Sequence, residues 1–145
     1  MDFFSSMNVS SSALSAERTR MNLISSNLAN ANATRTPEGG PYKRKDAVFS
    51  ATSVENRFNR ALDGATAKQL RKVDVTEIVE DQNPPRQVYD PSHPDANPQG
   101  YVAMPNVNVV EEMTDMISAT RSYEANVTAV QAAKSMAMKT LEIAK

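Results

Sequence analysis

Asn106-Val107-Asn108-Val109-Val110-Glu111-Glu112-Met113 opens a run that reaches Lys145 without a glycine or proline. Asn108 can cap a helix there, and Glu111 three residues later fits a capping box. Apolar residues then recur in heptad spacing at Val109, Met113, Met116, Tyr123, Val127, Val130, Ala137, Leu141 and Ala144, with Thr120 and Lys134 as interruptions. At about 1.5 Å per residue such a helix spans on the order of 55 Å. Glu111, Glu112 and Asp115 lie early and Lys134, Lys139 and Lys145 late, the polarity that the helix dipole favours. Ile117, Met136 and Met138 fall beside the stripe and widen its apolar surface beyond what one partner helix covers.

The other end mirrors this one. All eight prolines and four glycines lie between Pro37 and Pro105, so residues 1–36 are also free of helix breakers. Apolar positions recur at Phe3, Met7, Leu14, Met21, Ile24, Leu28 and Ala31, interrupted by Ser10 and Glu17. The serines at 10–12 and the many alanines make this stripe thin, so the helix is expected to be weak alone. Its end, Ser25-Ser26-Asn27-Leu28-Ala29-Asn30-Ala31-Asn32, is dense in side chains that compete with the backbone for hydrogen bonds. Two readings stay open there: a fraying helix end before the Thr36-Pro37 stop, and an amide-rich contact surface.

The middle is irregular. Pro37-Glu38-Gly39-Gly40-Pro41 is a turn cluster. Strands are expected at Tyr42 to Ala51, Leu70 to Asp81, Arg86 to Tyr89 and Tyr101 to Met104, and an exposed loop over Ser53 to Lys68. These patterns predict an α+β fold, mainly α. Long antiparallel N- and C-terminal helices form a coiled-coil-like stalk, with Met7 toward Leu141 and Leu28 toward Met116, and carry a small β-rich middle domain. The segments are 1–35, 36–105 and 106–145.

Composition narrows the function. The chain has 145 residues, a formal charge of -1 and no cysteine, which excludes disulfides and thiolate metal sites. Charges of opposite sign nearly cancel in every segment, so no basic face for nucleic acid is expected. Met1-Asp2-Phe3-Phe4-Ser5-Ser6 has neither a basic nor an apolar region of the kind a cleaved signal needs. No apolar run is long enough for membrane insertion.

Chemistry-bearing residues are sparse. His93, the single histidine, sits between prolines without a nucleophile elbow, and reads as a solvated loop residue. Glu111, Glu112 and Asp115 read as a solvated helix start rather than metal ligands. Tyr42-Lys43-Arg44-Lys45 reads as a strand rim rather than an RNA site. Methionines 113, 116, 136 and 138 read as helical packing. No catalytic residue, cofactor or metal is expected.

Four segments together carry a resemblance: Ser26-Asn27-Leu28-Ala29-Asn30-Ala31-Asn32, Pro37-Glu38-Gly39-Gly40-Pro41-Tyr42, Gly100-Tyr101-Val102-Ala103-Met104-Pro105-Asn106-Val107-Asn108-Val109-Val110-Glu111-Glu112-Met113, and Ser118-Ala119-Thr120-Arg121-Ser122-Tyr123-Glu124-Ala125-Asn126-Val127. They resemble the bacterial flagellar basal-body rod proteins, of the proximal-rod FlgC type. The resemblance implies a structural subunit, not an enzyme, exported by the flagellar type III apparatus without a cleaved signal. Such a subunit polymerises helically into the rod crossing the periplasm. The partners it implies are copies of the chain and rod proteins of the FlgB, FlgF, FlgG and FliE types. On this reading Met7, Leu14, Met21, Ile24, Leu28, Met113, Met116, Tyr123, Val127, Val130 and Leu141 pair the helices within a subunit. Asn27, Asn30, Asn32, Arg121, Glu124 and Asn126 make contacts between subunits. The residues alone leave a second reading open, a coiled-coil adaptor or secretion-associated regulator that binds one helical partner without polymerising.

Overall fold

A computed structural model describes residues 3–53 and 71–143, with side chains over 6–52 and 71–143. The elements are α1 (Phe3–Ala29), β1 (Lys45–Ser53), β2 (Arg71–Glu80), β3 (Arg86–Tyr89), β4 (Tyr101–Met104) and α2 (Val109–Ile143). Past Ser53, the expected loop to Lys68 lies outside the described residues, as do Leu70, Ala144 and the side chain of Phe3. No helix among the described residues is long and apolar enough to cross a membrane.

α1 stops at Ala29, short of the expected boundary at residue 35. The reason is local. Asn30 donates both its backbone N–H and its side-chain Nδ2 to the Ser26 carbonyl, and tighter bonds follow from Ala31 to Leu28 and from Ala33 to Asn30. Bonds that reach back three residues instead of four close the last turn, over a stretch whose asparagines and serines have low helix propensity. The Pro37 to Pro41 cluster then folds as a turn, with Thr36 and Gly40 joined through the backbone and Gly39 and Gly40 at positive φ.

α2 begins where Asn108 predicts. Its Oδ1 accepts the Val110 N–H at 3.2 Å, and its carbonyl accepts the Glu112 N–H at 3.0 Å. The covered face of the helix, however, is centred one residue before the expected stripe. Glu112 and Ala119, seven apart, are its buried positions, whereas Met113 and Thr120 are exposed. Small side chains decide this, because alanine at 119 admits close backbone approach that a larger residue blocks.

The chain divides into two compact units. The first draws on Met1–Thr19, Phe49–Thr76 and Thr120–Lys145. There Ser12 Oγ donates to the Val9 carbonyl at 2.7 Å and accepts the Val73 N–H at 3.1 Å, so a helix hydroxyl satisfies a strand amide. Thr52 donates to Asp74 across the hairpin at 2.6 Å, and Ala16 is buried.

The second unit comprises Arg20–Val48 and Glu77–Ala119. Its core holds Ile24, Ala31, Ala47, Val102, Val107 and Ala119. β1 pairs with β2. The Asp81 N–H to Arg44 carbonyl bond and the Lys45–Glu80 ion pair, in opposite sequence order, make that pairing antiparallel. β3 and β4 are antiparallel with Val88 opposite Val102 and Tyr89 opposite Tyr101. The loop joining them is built from side-chain acceptors: Asn97 Oδ1 takes the Gln99 and Tyr101 N–H groups, and His93 Nδ1 takes that of Asp95. Gly100, at φ +83°, lies under the Tyr89 ring.

Candidate functional site

The most polar buried feature of the second unit is a junction of the end of α1, the approach to β1 and the start of α2. Asn27 lies on the last turns of α1, facing the backbone of Lys45. Its Nδ2 donates to the Lys45 carbonyl at 2.9 Å, and its Oδ1 accepts the Lys45 N–H at 3.0 Å. The amide thus pairs with a strand residue as another strand would. The remaining capacity is also used: Oδ1 accepts the Tyr42 hydroxyl at 2.9 Å, and Nδ2 donates to Glu112 Oε2 at 3.1 Å. Two acceptors face the nitrogen and two donors the oxygen, which fixes the amide's orientation.

Glu112 completes the junction from the first turn of α2. Its other oxygen, Oε1, accepts the Arg44 Nε at 2.6 Å, and Arg44 also reaches Asp46 at 3.0 Å. Burial works to lower the Arg44 pKa, but hydrogen bonds from its guanidinium to Glu112 and Asp46, and the charges of both, outweigh this and raise it. A carboxylate taken out of water requires such partners. At the rim, Asp115 lies 4.0 Å from both Arg20 and Arg44. Nothing here is arranged for catalysis. The junction holds two carboxamide and carboxylate planes rigidly between three segments, and no group of potential metal ligands occurs among the described residues.

Several sequence expectations change at this point. Glu112 is not part of a solvated helix start, being 1 % exposed. Asn27 is not a surface contact between subunits: it is equally buried, and every polar atom of its amide is bonded within the chain. Tyr42 and Arg44, read as a strand rim, belong to the same interior cluster. Of the positions assigned to helix pairing, Ile24 is buried and Leu14, Met21, Leu28, Met116, Tyr123, Val127 and Val130 are partly covered. Met7, Met113 and Leu141 are instead 40, 53 and 71 % exposed, so the chain itself leaves much of their surface open. For Met113 the cause is the shifted face of α2.

The other assembly positions are dispersed. Asn30 and Asn126 bond to the carbonyls of Ser26 and Ser122 one turn earlier. Arg121 and Glu124 are exposed. Asn32 lines an open cleft of about 420 Å³ with Arg86 and residues 105–110. Sequence reading misses Glu112 because the capping pattern directs attention to Glu111. The heptad relation of Glu112 to Ala119, a small residue, is the signal that marks it as inward-facing.

Comparison with known proteins identifies the family. Residues 7–35 match the family described as flagella basal body rod protein, and residues 99–143 match the C-terminal family of the flagellar basal body rod FlgEFG proteins. These segments carry Asn27 and Glu112. The flagellar basal-body rod protein FlgC of Bacillus subtilis is 47 % identical over 100 % of both chains. That of Borreliella burgdorferi is 44 % identical over 99 % of this chain and 98 % of its own. That of Salmonella typhimurium is 41 % identical over 93 % of this chain and 92 % of its own. The chain belongs to the FlgC family of flagellar basal-body rod proteins, which are structural subunits and not enzymes.

Proposed function

We propose that this rod subunit polymerises helically, with copies of itself and with rod proteins of the FlgB, FlgF, FlgG and FliE types, into the proximal shaft that crosses the periplasm. The observation that carries the proposal is the apolar surface left open along α2, where Ile117, Met136, Met138, Leu141 and Ile143 are all exposed. A series of large side chains in water is a surface waiting for a neighbour. In the assembly, copies cover it.

The helices pair antiparallel in this account. The Asn27–Glu112 bond and the Arg20–Asp115 contact, which run in opposite order along α1 and α2, support that direction. Leu14, Met21, Ile24, Leu28, Met116, Tyr123, Val127 and Val130 line the pair. Asn30, Asn32, Arg121, Glu124 and Asn126 contact neighbouring subunits. The chain reaches the rod through the flagellar type III export apparatus.

Sedimentation of the purified chain over a concentration series tests the proposal. A polymerising subunit shifts continuously to larger species as concentration rises. A coiled-coil adaptor forms one discrete oligomer and stops there, which would contradict the proposal.

A further inference from the structure

β3 and β4 form a sheet of two strands, so each of them is also an edge. Directly opposite residues in an antiparallel sheet alternate between hydrogen-bonded and non-hydrogen-bonded pairs. The Asp90 N–H donates to the Gly100 carbonyl at 2.9 Å, which makes Val88–Val102 and Arg86–Met104 the hydrogen-bonded pairs of this register. The backbone groups of Gln87 and Tyr89 on β3, and of Tyr101 on β4, therefore point away from the hairpin.

The chain answers these outward groups unevenly. Asn97 takes the place of a further strand at Tyr101: its N–H donates to the Tyr101 carbonyl at 2.9 Å, and its Oδ1 accepts the Tyr101 N–H at 2.8 Å. Asn27 does the same for Lys45 at the start of β1. No group among the described residues meets the backbone of Gln87 and Tyr89 on that side. Both residues are exposed, Tyr89 to 64 %. An open strand edge is a template for another strand.

β3 is complementary to a second β3. In Arg86-Gln87-Val88-Tyr89-Asp90, antiparallel pairing about Val88 sets Gln87 of one copy opposite Tyr89 of the other. The outward groups of both are then in phase, and two residues on each copy make four hydrogen bonds. The same register sets Arg86 opposite Asp90, opposite charges at both ends of the ladder. Pro85 and Pro91 stand at the next alternate positions and have no N–H to give. They stop a longer or shifted ladder and leave this register. Two short strands in each copy become one sheet of four, a size at which sheets gain stability of their own.

We infer that β3 is a self-recognition edge, which pairs two free copies about a two-fold axis through Val88. Such a pair closes on itself and sets its copies in opposite directions, whereas copies in a helical shaft repeat in one direction. The pair is thus a state of the free chain, and it holds copies out of the polymer until it opens. That restraint on assembly rests on the polymerising reading; the pairing itself does not.

The chain has no cysteine, so disulfides between full-length copies read the register. Copies carrying Gln87→Cys are mixed with copies carrying Tyr89→Cys under mild oxidation. Opposite residues of a hydrogen-bonded pair have Cα atoms about 5.5 Å apart, within disulfide reach, and like positions lie on a longer diagonal. Cross-links between the two variants are expected to exceed those within either by about tenfold. Gln99→Cys, in the exposed loop, gives the level set by random collision. In sedimentation velocity without cysteines, Gln87→Pro removes two of the four bonds and weakens the dimer about tenfold. Should that variant fold poorly, Arg86→Glu, at an exposed position, carries the test by setting like charges opposite each other. Both variants speed the growth of larger species. Cross-linking that is equal in all mixtures, or a dimer that Arg86→Glu leaves intact, overturns the inference. A chain that stays monomeric at every concentration also overturns it and leaves β3 to a strand of another protein. Loss of the dimer without faster growth overturns the restraint alone. If larger species never form, the polymerising reading falls, and the cross-links still decide the pairing.

Discussion

Arg44 Nε lies 2.6 Å from Glu112 Oε1 while the Glu112 side chain is 1 % exposed, so the first-turn charge of α2 is held inside the chain. Breaking such a pair from one side strands the other charge. Glu112→Ala is therefore expected to lower stability by about 3 kcal/mol, whereas replacing both partners, Arg44→Met with Glu112→Leu, costs less than either single change. Urea unfolding of the wild type, Glu112→Ala, Arg44→Met, Glu112→Leu and the double variant checks this.

Asn27 separates two kinds of polar substitution. In Asn27→Asp an oxygen replaces the Nδ2 that donates to Glu112 and to the Lys45 carbonyl, setting three acceptors against one another. A loss of at least about 2 kcal/mol is expected at neutral pH, again measured by urea unfolding, with the Tyr42 and Lys45 bonds to Oδ1 unable to compensate. A loss near zero would mean that the junction opens freely.

Gly100→Ala tests the hairpin of β3 and β4. A Cβ at position 100 would stand 2.8 Å from Tyr89 Cε2, and φ is +83°. The two penalties together lower the unfolding midpoint by the equivalent of about 2 kcal/mol. The 5.3 Å edge contact of the Tyr89 and Tyr101 rings is lost, visible as a change in near-ultraviolet circular dichroism.

Asp90 gives a pH prediction. The Ser92 hydroxyl at 2.6 Å, and then the Ser92 N–H at 3.1 Å, hold its carboxyl below the usual range. A depressed folded pKa stabilises the fold above the unfolded value of about 3.9, and that contribution disappears as pH falls through the folded value. Ser92→Ala is expected to move Asp90 upward and so narrow the acid range in which it helps. Carbon-detected NMR titration of the Asp90 carboxyl reads the shift directly.

Elements with local punctuation are legible in the sequence. Asn108 marks the start of α2, and Asp90-Pro91 and Gly100 bound β3 and β4 where the structure places them. α1 ends before the expected boundary, where the backbone bonds of Ala31 and Ala33 reach back three residues instead of four, a stop that the low propensity of the amide-rich stretch signals without locating. The junction is hidden for a different reason. Glu112 meets Arg44 and Asn27 across 68 and 85 residues of chain, and no window of sequence contains both ends of those bonds. The resemblance marks Asn27 as important but not which way it faces.

The central claim is that α2 begins inside the chain, fixed by Glu112, and ends on neighbours through Met136, Met138, Leu141 and Ile143. Amide hydrogen exchange, measured residue by residue in the monomer and in the assembled rod, tests it most directly. The account predicts slow exchange near Glu112 to Ala119 in both states, with rapid exchange beyond Val130 in the monomer that becomes slow on assembly. Equal protection along the whole of α2 in the monomer would contradict it.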